Sequence, residues 1–199
     1  MLLVVIAHRG EANEFIRRKH NLPIEFYFPG LYRSDNELLL LSGTGIQSVQ
    51  KKVTLVCSYF GRRIRLVVNL GIAGALDKNL EINQIYAIRN VYHESLPDCF
   101  TSFNSRSTHD CVTALNDVLN DRYAQILSQS GHIVDRELWA IASVCSQFDL
   151  RFRAYKLISD IAGSSAVIQD IIAQRSLYSK HLFDFYTKLK LTNSVLLKA

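Results

Sequence analysis

Along the chain, short unbroken apolar runs alternate with stretches in which apolar side chains recur every three to four positions. Leu2-Leu-Val-Val-Ile-Ala7 is a continuous apolar run of the kind that fills a strand buried on both faces. Gly10 ends the turn that follows it, and Glu11–Lys19 reads as a short helix. Ile24–Phe28 and Glu37–Leu41 read as strands joined by a loop holding Pro29, Gly30, Ser34 and Asp35. Ser42-Gly-Thr-Gly45 then forms a strand-to-helix turn, and a helix extends to about Phe60. Ile64–Asn69 is a second buried strand running into Gly71-Ile-Ala-Gly74, and Gln84–Val91 is a strand placed after the turn at Asp77-Lys-Asn79.

The second half is more helical. Ser95–Asp110 is irregular and polar, and Ala114–Ser130 carries loosely helical spacing. Glu137–Phe148 places Leu138, Ile141, Ala142, Cys145 and Phe148 on one stripe. Arg153–Ile158 reads as a strand, and the segment from about Ser164 to Leu191 as one long amphipathic helix with room for a break. Strands alternating with helices predict an α/β fold with a mixed, largely parallel sheet sandwiched by helices. Val4, Ile6, Val67, Val68, Leu157 and Ile158 are its expected core residues.

Bulk numbers narrow this picture. At 199 residues the chain fits one domain, spanning 1–199, and 48% hydrophobic with 21% charged residues is the profile of an ordinary globule. No apolar run approaches the ~20 residues of a membrane-spanning helix, and the amino terminus lacks the pattern of a signal peptide. A cytoplasmic protein is expected. The formal charge of +5 comes from dispersed basic residues. Arg62, Arg63 and Arg65, the densest group, read as a solvated turn, so no nucleic-acid partner is expected. Cys57, Cys99, Cys111 and Cys145 contain no C-x-x-C pair, which speaks against a zinc site or disulfide framework. Neither a metal nor a cofactor is expected.

Two glycine-bearing turns and several carboxylates carry the candidate chemistry. Ser42-Gly-Thr-Gly45 lacks the third glycine of a dinucleotide fingerprint and the Gly-Lys-Ser/Thr of a phosphate loop. Glycines at such a turn serve a bare structural bend or the close approach of a ligand equally well, and the same holds for Gly71-Ile-Ala-Gly74. Asp160 closes an apolar strand at the carboxyl edge of the sheet, where open α/β folds bind ligands. Glu137 begins a helix, and Glu11 lies just beyond the first strand. The three converge on one crevice in one reading; in the other, acids such as Glu11 and Asp135 simply favour helix starts.

Four segments occur in an order that matches a known family. Val68-Asn-Leu-Gly-Ile-Ala-Gly-Ala75 is similar to an N-T-G-x-A-G-G turn, and Val134-Asp-Arg-Glu-Leu-Trp-Ala-Ile-Ala142 to V-D/E-M-E-x-x-A-x-A. Tyr155-Lys-Leu-Ile-Ser-Asp-Ile-Ala162 is similar to x-R-x-I-S-D-x-A. Thr108-His-Asp-Cys-Val-Thr113 sits where T-V-D-x-V-V or S-G-D-x-F-I is usual. The chain thereby resembles the nucleoside phosphorylase and nucleosidase superfamily, and within it the methylthioadenosine/S-adenosylhomocysteine nucleosidases and hopanoid-associated nucleoside phosphorylases. The resemblance runs from Leu3 to about Gly163 and more loosely through the last helix. It implies a three-layer sandwich and cleavage of the N-glycosidic bond of a purine nucleoside or a 5′-substituted derivative.

By position, the resemblance makes Glu11 the base that activates water and Asp160, beside Ser159, the acid that protonates the purine at N7. It makes Glu137 the residue that grips the ribose hydroxyls. Cys111, Val112 and Thr113 become the segment cradling the base, and His93 a residue reaching the neighbouring subunit's site, which implies a homodimer. Ser42, Gly43, Gly71, Ile72, Asp135 and Arg136 complete the implied nucleoside contacts. An oxocarbenium-like transition state gains positive charge on the sugar and negative charge on the base, so paired acids of this kind suit it.

Departures from the family pattern bear on the reaction. Arg136 replaces the methionine that packs on the ribose, and Trp139 replaces a small residue. Ile72 stands where a serine is frequent, and Asn69 where phosphorolytic hexamers carry a phosphate-binding arginine. Ser95–Asp110 is shortened. Losing phosphate ligands favours hydrolysis. The alternatives are a phosphorylase holding phosphate through Arg9, Thr44 or Arg136, and a non-catalytic nucleoside-binding member.

Overall fold

The computed structural model describes residues 1–19, 22–24, 28–104, 106–164 and 167–192. Its described strands form a ten-stranded mixed sheet. Strand β1 (Leu2–Ile6) is buried at every position, because alternate side chains enter the two helical layers on either side. It lies parallel between β4 (Glu37–Leu41) and β5 (Leu66–Ala75), with β3 (Leu31–Ser34) and β2 (Leu22–Pro23) continuing antiparallel beyond β4. On one face pack α1 (Arg9–Arg18) and α6 (Arg175–Thr192). On the other pack α2 (Ile46–Phe60) and α4 (Leu138–Gln147). This is the expected sandwich, and all six expected core residues are buried.

Beyond β5 the sheet closes on itself. One edge of β5 pairs in parallel with β10 (Phe152–Ile161) along almost its whole length. Its other edge pairs with β1 over Leu66–Asn69 and, further along, with β9 (Ile133–Asp135) at Gly74 and Ala75. β9 then pairs with β8 (His109–Thr113), β8 with β6 (Ile85–His93), and β6 returns to β10. Five strands thus form a ring, and β5 belongs both to the ring and to the open sheet. Between β1 and β9, Leu70–Ala73 have no strand partner on that edge.

Several expectations are corrected. Gly71-Ile-Ala-Gly74 is no turn: β5 runs straight through it to Ala75. Ser95–Asp110 contains β7 (Cys99–Thr101), paired on β6, and the start of β8. The helix expected over Ala114–Ser130 shrinks to α3 (Asp121–Leu127), which the Asn120 side chain starts by accepting from the Tyr123 amide at 2.9 Å. The expected loop before β4 holds β3. The last helix is broken into α5 (Val167–Ala173) and α6. Of the strand expected over Ile24–Phe28, residues 25–27 lie outside the described residues.

Helix α6 docks through Tyr178, Leu182 and Tyr186, four residues apart and almost completely buried. Phe15 of α1 meets the rings of Phe183 and Tyr186 at centroid distances of 5.1 and 5.4 Å. This contact sets a test. Leu182→Ala should lower unfolding stability in urea by about 2–5 kcal/mol, the range for truncating a buried leucine. Leu191→Ala, on a side chain 76% exposed, should change it by less than about 0.5 kcal/mol.

Candidate active site

A cleft of about 420 Å³ opens at the carboxyl ends of β1, β4, β5, β9 and β10, next to the gap in the β5 edge. Its size falls in the ~300–1,000 Å³ range of small-molecule sites. Without a strand partner, the Ile72 amide donates instead to Glu11 Oε2 at 3.1 Å. Glu11 comes from the first turn of α1 and is 3% exposed. Glycine at 71 is what permits this approach: a Cβ there would stand 3.2 Å from Glu11 Oε2 and 3.7 Å from Lys156 Nζ. Burial pushes the Glu11 carboxyl up to about 7, against the pull of the Ile72 amide and Lys156; the nearby Glu137 adds to the rise.

Glu137 stands at the N-terminal end of α4, where its Oε1 accepts from the Gly45 amide at 3.1 Å. Gly45 has φ 79°, a backbone conformation that side chains disfavour, and so aims its N–H across the cleft. Burial, then the neighbouring Asp135, raise Glu137 to about 7. Between these acids lies Lys156 of β10, 2% exposed, with its ammonium 2.7 Å from Asp135 Oδ2. Burial works against that charge, but Asp135 and Glu137 outweigh it and hold the lysine above its ordinary value.

Asp160 sits across the cleft. The β5–β10 register slips between Ile158 and Asp160, leaving Ser159 as the extra residue of a bulge. Its hydroxyl bonds both the Ala73 carbonyl at 3.3 Å and Asp160 Oδ1 at 2.5 Å. Burial raises Asp160 above the ordinary aspartate value, and the Ser159 hydroxyl opposes the rise. Asp160 Oδ2 stands over Gly74, 3.4 Å from where a Cβ would be. Gly71 and Gly74 are three residues apart on one strand, roughly 10 Å of rise. Two carboxyls that burial raises, Glu11 and Asp160, therefore stand by Gly71 and Gly74 at the two ends of this stretch.

Of the sequence-predicted residues, Ile72, Asp135, Arg136, Glu137, Ser159 and Asp160 line the cleft, and Glu11 and Gly71 lie against Ile72. Asp135 is committed to the interior: it accepts from Thr113 Oγ1 at 2.7 Å, the Leu138 amide at 2.9 Å and Lys156. Thr113 in turn accepts from the Trp139 amide at 2.9 Å. Cys111 and Val112 are completely buried in apolar clusters and do not reach the cleft wall. Ser42 and Gly43 also stay off it; Thr44 and Gly45 represent that loop. His93 is 8% exposed, edge-on to Trp139 at 4.9 Å, with its Nδ1 accepting from the Ser95 amide.

Arg136 is ion-paired with Asp117, and its buried Nε has no partner. His8, Arg175, Asn116 and Asp117 also line the cleft without having been singled out from the sequence, and nothing in their spacing distinguished them. Lys156 carries a signal in the sequence: a cation flanked by Tyr155 and Leu157 inside a strand. Among the described residues, no cluster of three or more His, Cys, Asp or Glu is arranged to hold a metal ion, and no helix is long and apolar enough to cross a membrane.

No family model matches the chain. A 5′-methylthioadenosine/S-adenosylhomocysteine nucleosidase of Staphylococcus haemolyticus is 25% identical over a 177-residue alignment covering 71% of this chain and 76% of the relative. Among solved structures, a Helicobacter pylori nucleosidase variant with 5′-methylthioadenosine in its active site superposes with a TM-score of 0.80 at 14% identity, covering 94% of this chain and 96% of that one. The Streptococcus pneumoniae methylthioadenosine/S-adenosylhomocysteine nucleosidase with 8-aminoadenine gives 0.81 at 14%, covering 92% and 95%. A Helicobacter pylori futalosine hydrolase mutant gives 0.77 at 15%, covering 94% and 96%. The chain thus shares its fold with these nucleosidases over nearly the whole of both chains, and its sequence resembles one of them across 71% of its length.

Proposed function

We propose that the chain is an N-ribosyl hydrolase that cleaves the N-glycosidic bond of a purine nucleoside or a 5′-substituted derivative. The observation that carries this reading is the placement of two buried glutamates with carboxyls near 7 opposite an aspartate with a raised pKa, around one nucleoside-sized cleft. Glu11 takes the proton of the attacking water, and Glu137 holds the ribose hydroxyls. Asp160, with Ser159 bonded to one of its oxygens, delivers a proton to N7 of the departing base. The nucleosidase names of the sequence relative and the structural neighbours support this assignment.

Water is favoured over phosphate by Asn69 and Arg9. Asn69, at the position of a phosphate-binding arginine, spends its amide on the Val5 carbonyl at 3.1 Å. Arg9 is exposed and outside the cleft lining; Thr44 and Arg136, the latter ion-paired with Asp117 but with its buried Nε unpartnered, keep the phosphorylase as the second reading. We read the working form as a cytoplasmic homodimer, on the resemblance at His93. Sedimentation should return the mass of two chains; a monomer would remove that part of the reading.

The chemistry is tested by incubating the protein with inosine, adenosine and methylthioadenosine, with and without phosphate. Free sugar in both conditions is the expected product. A sugar 1-phosphate that forms only with phosphate selects the phosphorylase, and no product selects a binding protein.

Asp160→Asn should lower turnover by ~10²–10⁴-fold while nucleoside affinity largely survives, because the amide keeps the shape but supplies no acidic proton. Unchanged turnover would remove Asp160 from the mechanism.

The raised Glu11 carboxyl gives two linked pH effects. Turnover should rise with pH through about 7 as the base ionises, and Glu11→Gln should abolish that limb. Because the folded pKa lies above the unfolded 4.5, ionised Glu11 destabilises the fold. That penalty grows from about pH 4.5 to about 7 and is constant above. Glu11→Gln should therefore melt higher than the parent at pH 8, with the gap closing on acidification; equal melting temperatures at pH 8 would contradict it.

A further inference from the structure

We propose a second ligand site at the opposite end of the same strands, built to take the phosphate group of a small phosphorylated molecule. A cavity of about 240 Å³ opens where β1, β5 and β10 begin, lined by Arg65, Leu66, Phe103, Arg151, Arg153 and Lys190 among others. Its volume lies below the ~300–1,000 Å³ typical of drug-sized ligands. An oxyanion with a short organic stem matches it.

Charge points to the ligand. No ion pair joins Arg65, Arg151 or Arg153 to a carboxylate among the described residues. The cavity's acid, Glu37, is already shared by Lys19, Lys190 and the Tyr186 hydroxyl. Arg153 carries the argument furthest. It is 9% exposed, and its buried Nε–H has no hydrogen-bond partner. A buried guanidinium donor left unpaired is costly, and an arriving oxyanion removes the cost. The guanidinium also contacts Tyr155, and it rests on the Phe103 ring at 5.6 Å; Arg151 lies over the same ring at 4.9 Å.

The floor is preorganised as well. The Arg65 amide donates to the Met1 carbonyl at 2.9 Å, and the Arg151 carbonyl accepts from the Val67 amide at 2.9 Å. Backbone bonds therefore fix the roots of two arginines, and the aromatic ring limits the rotamers of two. Guanidinium forks match the tetrahedral oxygens of phosphate, and they stay charged at any physiological pH. The site shares no lining residue with the carboxyl-end cleft, so it stands whether or not the hydrolase reading does.

Titration calorimetry at low salt with inorganic phosphate and with glycerol 3-phosphate tests the proposal. Both should bind saturably with Kd at or below about 1 mM, and both should weaken as salt is raised. Arg65 and Arg151 are exposed, so Arg65→Gln/Arg151→Gln should melt like the parent and bind both probes at least about tenfold more weakly. Should the double variant not fold, Arg151→Gln alone carries the same expectation. Arg175→Gln, in the other cleft, should leave binding unchanged. Absence of saturable binding overturns the site. So does a loss seen in Arg175→Gln but not at Arg65 and Arg151. Succinate binding as tightly as phosphate would overturn the phosphate assignment.

Discussion

The Lys156–Asp135 ion pair is the interaction on which the cleft is organised. Both side chains are almost completely buried, and two charges taken out of water are tolerated only when geometry and further hydrogen bonds compensate. Here Thr113 and the Leu138 amide supply those bonds, so one carboxylate ties together β8, β9, α4 and β10. Removing one partner of such a pair typically costs ~3–5 kcal/mol, because the other charge is stranded. The lysine does more than balance Asp135. Its field also reaches Glu11 and Glu137, and without it burial and mutual repulsion would carry both carboxyls higher. The pair thus couples the stability of the ring to the protonation of the site beside it.

Strand geometry supplies the rest. β5 changes partners from β1 to β9, and the interval between them frees the Ile72 amide to hold Glu11. On the other edge of β5, the Ser159 bulge redirects Asp160 toward the same opening. Each device departs from a regular ladder, and each places one carboxyl. Ligand crevices in α/β sheets lie where neighbouring strands part company at their carboxyl ends, and this cleft follows that rule.

Much of this was legible along the chain. Apolar runs marked β1 and β4, which are covered on both faces, and β10 was marked by its alternating apolar positions despite Arg153 and Lys156 within it. The stripe of Leu138, Ile141, Ala142 and Cys145 marked α4. What escaped were the short strands β3, β7, β8 and β9, whose three to five residues are too few for a period to show and whose pairing is decided by distant partners. The glycines of β5 suggested a turn by local preference, whereas tertiary demand for a carboxylate at Gly71 kept the strand straight. Glu11, Glu137 and Asp160 could be picked out by position and resemblance. Cys111, Val112 and Thr113 were expected at the cleft but lie off its wall, and Asp135 lines it with its carboxylate bonded to Thr113 and Lys156, because segment matching carries no information about which way a side chain points.

Ring closure has a consequence for how the protein is made. β5 waits for β10, its partner more than eighty residues later in the register Lys156↔Gly71, and β10 is the last strand among the described residues. Loop-closure entropy must be met before that pairing returns any contact. Neither Asp160 nor Lys156 has emerged when the first sheet strands can already associate, so a growing chain carries Glu11 and Gly71 with nothing opposite them. The cleft has no half-built precursor: its walls are complete only once β10 arrives, and any chain ending before β10 is released without them.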